Sequence, residues 1–380
     1  MIRPLLALAL ALSITTRTEH VEGLQRNLDA TLSEDSALDA ALERGLLSFL
    51  QDVRSGRADA PSFAEGDAER HRFFHDALRR LVRSDGGVQP TVLKSFPLEE
   101  GGALVTLAFA GVRDERPVLE AIVELEARPT DEGFRFGSPF ERHTSDMHRT
   151  VVGDVTFVHR GRLKPESGLV DARDFVTFRS AFGRDAGVEG GPLTYYRFRS
   201  LDALLKAYGL VFDARRCNSL RCDLGFLDAG GRRFVTGTGD AARRFEYVRE
   251  ILRHAPGADE LYTPAVVGLA TCYGGYGLSG DDLDELREQF RGWLESEPDV
   301  DFLAEFRKGR ASSVHRHFSH FVMCAFLCDR LLQEHGVEAA LSLARSGANG
   351  ERFFDQIDEL LDVDEATFHA TILALIGERR

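Results

Sequence analysis

Lysine is scarce in this 380-residue chain. Only Lys94, Lys164, Lys206 and Lys308 occur, and Lys plus Arg total 47 against 61 Asp plus Glu. The resulting net charge of −14 repels phosphate backbones and anionic lipid, which argues against a nucleic-acid binder or a polybasic membrane protein. Cysteine occurs five times, without the paired Cys-x-x-Cys elements of a zinc ribbon. Cys217 and Cys222 bracket a short loop and are able to close on each other. Cys324 and Cys328 lie four apart on an expected helix, where side chains are neighbours but poorly aimed for a disulfide. Cys272 is left over, and a nucleophilic role for it needs a histidine base that the sequence does not name. No G-x-S-x-G elbow, G-x-x-x-x-G-K-[ST] phosphate loop or H-E-x-x-H zinc helix is present, so the simplest hydrolase and nucleotide signatures are missing. Beyond the N-terminus no stretch is apolar enough to cross a bilayer.

What is present is ordinary globular composition, 43% hydrophobic and 28% charged, in a chain long enough for two or three compact units. Arg3 precedes an apolar run, PLLALALALSI at 4–14, with small residues Ala9, Ala11 and Ser13 suited to a cleavage site. This pattern predicts a signal peptide within residues 1–20 and an exported protein, periplasmic or extracellular; a buried N-terminal helix is the other reading. No cysteine follows the run, which disfavours a lipid anchor.

Residues 25–145 read as a small α+β domain. Leu38, Ala41, Leu42 and Leu46 mark one helical stripe, and Phe73, Phe74, Leu78 and Leu81 a second. Alternating runs at 92–98, 103–112, 117–127 and 133–140 follow, broken by turn residues, and predict a meander of about four strands. This order is similar in layout, though in no motif, to nuclear-transport-factor-like or cystatin-like folds, where a curved sheet wraps a helix. His71 and His75 (HRFFH) are four apart, but with no acidic or cysteine partner at useful spacing they read as a surface pair. The polar, aperiodic stretch 141–150 reads as the joint between domains.

From 150 to 380 strands come first and helices after. Runs at 154–159 and 193–198 suggest strands with a helix at 172–182 between them, another helix follows at 200–208, and 225–227 with 233–236 suggest a hairpin. Asp240 is a candidate cap for a helix carrying Phe245, Val248 and Leu252. Thr263-Pro264 starts another helix. Ser279 or Gly280 opens a third, and Ser312 or Ser313 a long one that stops at Gly336. Helices at 352–361 and 365–376 finish the chain.

The motifs in this half are TYYRFRSLDALLKAYG (194–209), GFLDAGGRRFVTGTGD (225–240), RRFEYVREIL (243–252), VVGLATCYGG (266–275), AFLCDRLLQEHGVEAALSLARSG (325–347) and FFDQIDELL (353–361). In type, order and approximate distance they resemble the gluzincin-type zinc metallopeptidases of bacterial secreted proteins, the peptidase MA-like domain. That resemblance implies a thermolysin-like domain in which an H-E-x-x-H helix and an E-G-L-A-T-type helix supply the metal ligands. The two histidines fall on Phe245 and Arg249, the general base on Glu246 and the third ligand on Val267. Phe and Val offer no donor atom, and a guanidinium does not deprotonate in proteins. Both motifs are therefore degenerate, and the implied zinc site is vestigial.

The expectation is a catalytically inactive metallopeptidase-like protein without cofactor. Its cleft would bind a peptide or protein partner, or act as a scaffold, with Glu246, Arg249, Tyr273, His317 and His320 as candidate binding residues. Arg249, three residues after Glu246, is expected to pair with it and replace the metal's charge. The alternative is an active metal-dependent hydrolase whose ligands have moved to His317, His320 and Cys324, which share one face of the long helix.

Overall fold

The computed structural model describes residues 25–26, 36–57, 59–83, 88–160, 168–187, 191–214, 225–227, 232–237, 244–254, 260–276, 280–309 and 319–377. The chain is α+β and divides into two compact units. The first holds residues 1–147, 198–222 and 228–230, and the second holds 148–197, 223–227 and 231–380.

In the first unit, helix α1 (Ser36–Ser55) is followed by α2 (Asp67–Arg70) and α3 (Arg72–Val82). Strands β1 (Gln25–Arg26), β2 (Val88–Pro97), β3 (Ala103–Arg113), β4 (Arg116–Thr130) and β5 (Gly133–Gly137) lie in sequence order in one sheet, β2 to β5 as an antiparallel meander. Asp114 and Glu115 both take positive φ, 50° and 61°, as a two-residue hairpin with the right twist requires. The stripes anticipated from the sequence form the core. Leu46 and Phe49 of α1 and Phe74 and Leu78 of α3 are buried with Leu107, Phe109, Val123, Leu125 and Phe136 of the sheet. In α1, Gly45 sits so close to β5 that an added Cβ would stand 3.1 Å from the Phe136 ring.

Two features of this unit depart from the sequence reading. The stretch expected as a polar joint is structured: it holds α4 (Phe140–Thr144) and the start of β6 (His148–Val152). Residues 198–214 return to the first unit. There, Ser200 caps α6 (Leu201–Ala207) by accepting from Ala203 N at 3.1 Å, and β9 (Leu210–Asp213) pairs with β4 through Ala121, Ile122 and Val123. A four-residue strand carries too little alternation to be seen in sequence.

The second unit has a sheet in the order β10-β11-β8-β7-β6, with β7 (Val155–His159), β8 (Leu193–Arg197), β10 (Gly225–Leu227) and β11 (Arg233–Thr236). Strands β7, β8 and β11 are mutually parallel, while β6 and β10 are antiparallel edges. Helix α5 (Gly168–Asp185) is the crossover between the parallel neighbours β7 and β8, a connection that two hairpin residues could not make.

The described elements that follow are helices: α7 (Arg244–His254), α8 (Thr263–Gly274), α9 (Leu283–Ser296), α10 (Phe302–Lys308), α11 (Ser319–Glu334), α12 (Val337–Ala344), α13 (Phe353–Leu361) and α14 (Glu365–Gly377). The cap of α9 is Asp282, rather than Ser279 or Gly280. Its side chain accepts from Asp284 N and Glu285 N while Glu285 returns a bond to Asp282 N, a reciprocal box that satisfies the first free donors of the helix. Gly336 follows α11 at φ 81°, as a residue without Cβ allows. Among the described residues no helix is long and apolar enough to cross a membrane. The expected signal peptide, Cys217 and Cys222, the hairpin turn 228–231, Asp240, Ser279 and the 312–317 helix start with His315 and His317 lie outside the described residues.

Candidate functional site

Helices α7 and α8 carry the residues singled out in the sequence. Along α7 every residue from Phe245 to Glu250 is buried, so the helix is enclosed all round although its sequence, RFEYVREILRH, is rich in charge. Phe245 belongs to the same apolar cluster as Val266, Val267 and Leu269 of α8. The helices touch through backbone: a Cβ on Gly274 would lie 2.2 Å from Phe245 N. The end of α8 thus meets the start of α7. Val267 lies seven residues back from this contact and Arg249 four residues on from Phe245, about 10 Å and about 6 Å along the two helices.

Arg249 makes a contact that the sequence reading did not name. Its Nε and Nη2 donate to Glu250 Oε1 at 3.2 and 3.1 Å, and Arg253 Nη1 donates to the same oxygen at 2.8 Å. A carboxylate set against Arg249 is thus that of its chain neighbour. The physical reason is local: Glu250 and Arg249 are both buried, and charged N–H donors on a carboxylate oxygen are a strong way to satisfy a group removed from water. Glu246 is 2% exposed. The Arg249 guanidinium also lies 5.9 Å from the centre of the Phe245 ring, near enough for a cation–π contact.

Tyr273, half-buried, packs on α5, with ring centres 5.7 Å from Phe178 and 5.0 Å from Phe182. Burial pushes its phenol up to about 12. Cys272 donates to Gly268 O at 3.3 Å and Ala325 O at 3.4 Å. The α8–α11 contact is also made through backbone, since a Cβ on Gly268 would stand 2.6 Å from the Cys324 carbonyl carbon.

At the start of α11, His320 is buried with its ring 4.2 Å from that of Phe321, and burial lowers its pKa to about 4. Cys324, one turn on, is fully buried, and burial pushes its thiol up. Cys272, Cys324 and Cys328 are free thiols. Among the described residues no group of three His, Cys, Asp or Glu side chains is placed to hold a metal ion.

One expectation is overturned in the first unit. His71 and His75, read as a surface pair, are 1% and 4% exposed. Both face Asp67, itself 1% exposed: His75 Nε2 lies 2.7 Å from Asp67 Oδ2 and His71 Nε2 3.7 Å from Oδ1. Ser138 N donates to Asp67 Oδ2 at 3.0 Å. Burial alone would raise the Asp67 pKa, but the His75 hydrogen bond, the two imidazoles and the Ser138 N–H outweigh it and hold the carboxyl below its ordinary value of 3.8. The partner missing from the sequence reading was present at a helical interval: Asp67, His71 and His75 stand four apart in succession, a spacing that puts side chains on one face. No family model matches the chain, and no curated protein is significantly similar to it.

Proposed function

We propose that this is an exported, catalytically inactive metallopeptidase-like protein of bacterial type, whose helical half binds a peptide or protein or serves as a scaffold. One observation carries the reading. Phe245 and Val267, which stand where the resemblance implies zinc ligands, are buried apolar members of one cluster on two helices in backbone contact. The donor chemistry needed for zinc is replaced there by hydrocarbon and by a guanidinium already bonded to Glu250. The order of elements in the second unit supports it too: strand β8, hairpin β10–β11, helices α7 and α8, the long α11, then α13 and α14. Glu246 stands at the position the resemblance gives to the general base, whose water a zinc ion would polarise; Phe245 and Val267 offer that ion no donor atom. Of the residues singled out for peptide contact, Tyr273 is half-buried and has surface to offer, whereas Glu246, Arg249 and His320 are buried and would act by shaping the helices behind it; His317 lies outside the described residues.

The test restores the ligands. The triple change Phe245→His, Arg249→His and Val267→Glu should bind zinc at one equivalent by elemental analysis, with the fold followed by circular dichroism. A folded triple variant that stays metal-free sinks the reading. The alternative, a hydrolase with ligands His317, His320 and Cys324, draws on His320 being neutral at physiological pH, the state in which imidazole ligates. Against it, burial keeps the Cys324 thiol protonated, whereas the thiolate is the ligand. Stoichiometric zinc in the native protein, lost on His320→Ala together with peptide hydrolysis, would favour the alternative.

A further inference from the structure

The sheet of the second unit ends at β6, which pairs with β7 on one side only. Their turn holds two residues, Gly153 and Asp154. Gly153 takes φ 59°, whereas Asp154 keeps an ordinary negative φ, the pattern of a type II′ hairpin. Across such a turn the flanking residues, Val152 and Val155, exchange both backbone bonds. Because bonded and unbonded pairs alternate along an antiparallel ladder, Thr150–Phe157 and His148–His159 are bonded pairs too. The N–H and C=O groups of Arg149 and Val151 therefore point away from β7, along the open edge.

The devices that usually blunt an edge are missing here. Strand β6 has neither proline nor lysine, and its register with β7 has no bulge. Val151 is 70% exposed, more than any other large apolar side chain among the described residues. Arg149 is exposed and pairs with no acid among the described residues. These two side chains share a face with Thr156 and Val158 of β7, away from α5, whose Phe175 packs on Phe157. Arg160, one residue past the His159 that pairs with His148, is exposed at the same corner and also lacks an ion pair. The acids nearest along the chain are Asp146, before the strand, and Asp154 in the turn, which is bonded to Arg179. Charges elsewhere on the acidic surface are screened beyond about 8 Å at physiological salt.

We propose that the β6 edge takes up an extended acidic peptide segment as a sixth, antiparallel strand, with Asp or Glu opposite Arg149 and a β-branched apolar residue opposite Val151. An antiparallel strand meets Val151 before Arg149, so the segment reads apolar, any, acidic from its N-terminus. Its backbone bonds the outward groups of Arg149 and Val151 and gives affinity, while the alternate side chains give specificity. A second copy fits the edge less well. Paired about Thr150, its Arg149 would oppose Val151 with no acid to meet, and two chains of net charge −14 repel. The edge is at the opposite end of the sheet from β10, and the proposal stands whether or not the zinc reading of α7 and α8 does.

The experiment uses the full chain labelled with ¹⁵N and, as probe, the peptide Thr-Thr-Val-Thr-Glu-Thr-Thr with acetylated and amidated ends. Saturable shifts of the Arg149 and Val151 amides are expected, larger than those of Thr150 and Val152, whose N–H groups already face β7. Replacing the Glu of the probe by Lys should weaken binding about tenfold, and Arg149→Glu should reverse that preference by a similar factor. Val151→Pro removes an outward N–H that the hairpin does not use and should abolish the shifts with circular dichroism unchanged. N-methylation of the probe at its Val and Glu should do the same, whereas N-methylation at the Thr between them should be tolerated. If Val151→Pro does not fold, the methylated probes and Arg149→Glu decide. The proposal is overturned by absence of saturable shifts at these two amides, by equal binding of the Glu and Lys probes, or by a preference that Arg149→Glu leaves unreversed. A native dimer in analytical ultracentrifugation that Val151→Pro dissociates would also overturn it, in favour of a second copy.

Discussion

Asp67 keeps a negative charge where water does not reach, and it does so by collecting donors: His75, the nearby His71 imidazole and the Ser138 N–H. Removing the carboxylate leaves those groups buried and unmatched, so Asp67→Ala should cost about 3–5 kcal/mol in urea unfolding. The sign of the pH effect follows from its lowered pKa. The stability it supplies is fully present above the unfolded value of 3.8 and is lost as pH falls through the lower folded value. The acid limb of stability against pH should therefore flatten in Asp67→Asn. Gly137 makes room for this carboxylate, as a Cβ there would lie 2.6 Å from Asp67 Cγ. Gly137→Ala should lower the melting temperature, and an unchanged value would show that the strand gives way freely. His143 behaves in the opposite sense. Its hydrogen bond to Glu124 at 3.1 Å raises its pKa, helped by the carbonyls of Ala207 and Lys206, against the lowering effect of burial. Its contribution is complete below the ordinary value of 6.5 and is lost as pH rises through the folded value. His143→Gln should remove that alkaline decline, measured by urea midpoints between neutral and mildly alkaline pH.

Helices in the second unit are held by two devices, close backbone approach and buried charge. Gly268 lets α8 lie directly against the Cys324–Ala325 backbone of α11, and that contact is not adjustable by a side-chain rotamer. Gly268→Ala should destabilise by about 1–3 kcal/mol, the usual cost of overpacking, whereas Gly292→Ala on α9, with nothing within 4 Å of the added carbon, should be neutral or slightly stabilising. Arg287, 1% exposed, bonds Asp329 of α11 at 2.8 Å, Asp284 at 2.8 Å and Leu375 O of α14 at 3.1 Å. One side chain thus ties three helices. Arg287→Ala should cost about 3–5 kcal/mol because a buried aspartate loses its counter-charge. The double change Arg287→Met, Asp329→Leu should recover most of that loss. Equal stability of the Ala variant and the parent would show that the network is merely decorative.

The chain as a whole is not cut cleanly by sequence position. Strand β4 is flanked on one side by β3 and on the other by two partners, β5 over Glu126–Thr130 and β9 over Ala121–Val123. Since β9 comes from 198–222 while β6, β7 and β8 belong to the second unit, the first unit is completed only after the second has begun. A fragment ending at Met147 lacks β9 and leaves part of the β4 edge open to pairing with other chains. It should self-associate in analytical ultracentrifugation, and a well-behaved monomer with cooperative unfolding would contradict the role given to β9. The acidic surface acts at the same scale. A net charge of −14 should keep the full chain from nucleic acid at moderate salt, checked by gel shift.

Periodicity by itself determined the helices α1 and α3, the four-strand meander and the succession of helices after 244, because amphipathic stripes and alternation are written in adjacent residues. Donor chemistry by itself determined that Phe245 and Val267 supply no metal ligand. What the sequence left open was every choice between partners. Arg249 has Glu246 three residues before it and Glu250 beside it, and the contact with Glu250 is one that helix spacing alone does not announce. The cap of α9 was settled on Asp282 by a reciprocal bond with Glu285, although that spacing was legible in DDLDE. The fate of His71 and His75 turned on which face of α3 the sheet covers: a polar pair reads as exposed until a buried carboxylate at Asp67 makes burial affordable. Strand β9 was the hardest to see, since four residues hold no pattern and its partner lies nearly ninety positions away (about the span from Val123 to Leu210). Local patterns are set by near neighbours, and burial of charge, strand pairing and backbone contact are set by residues distant in the chain, so only the tertiary structure decided them.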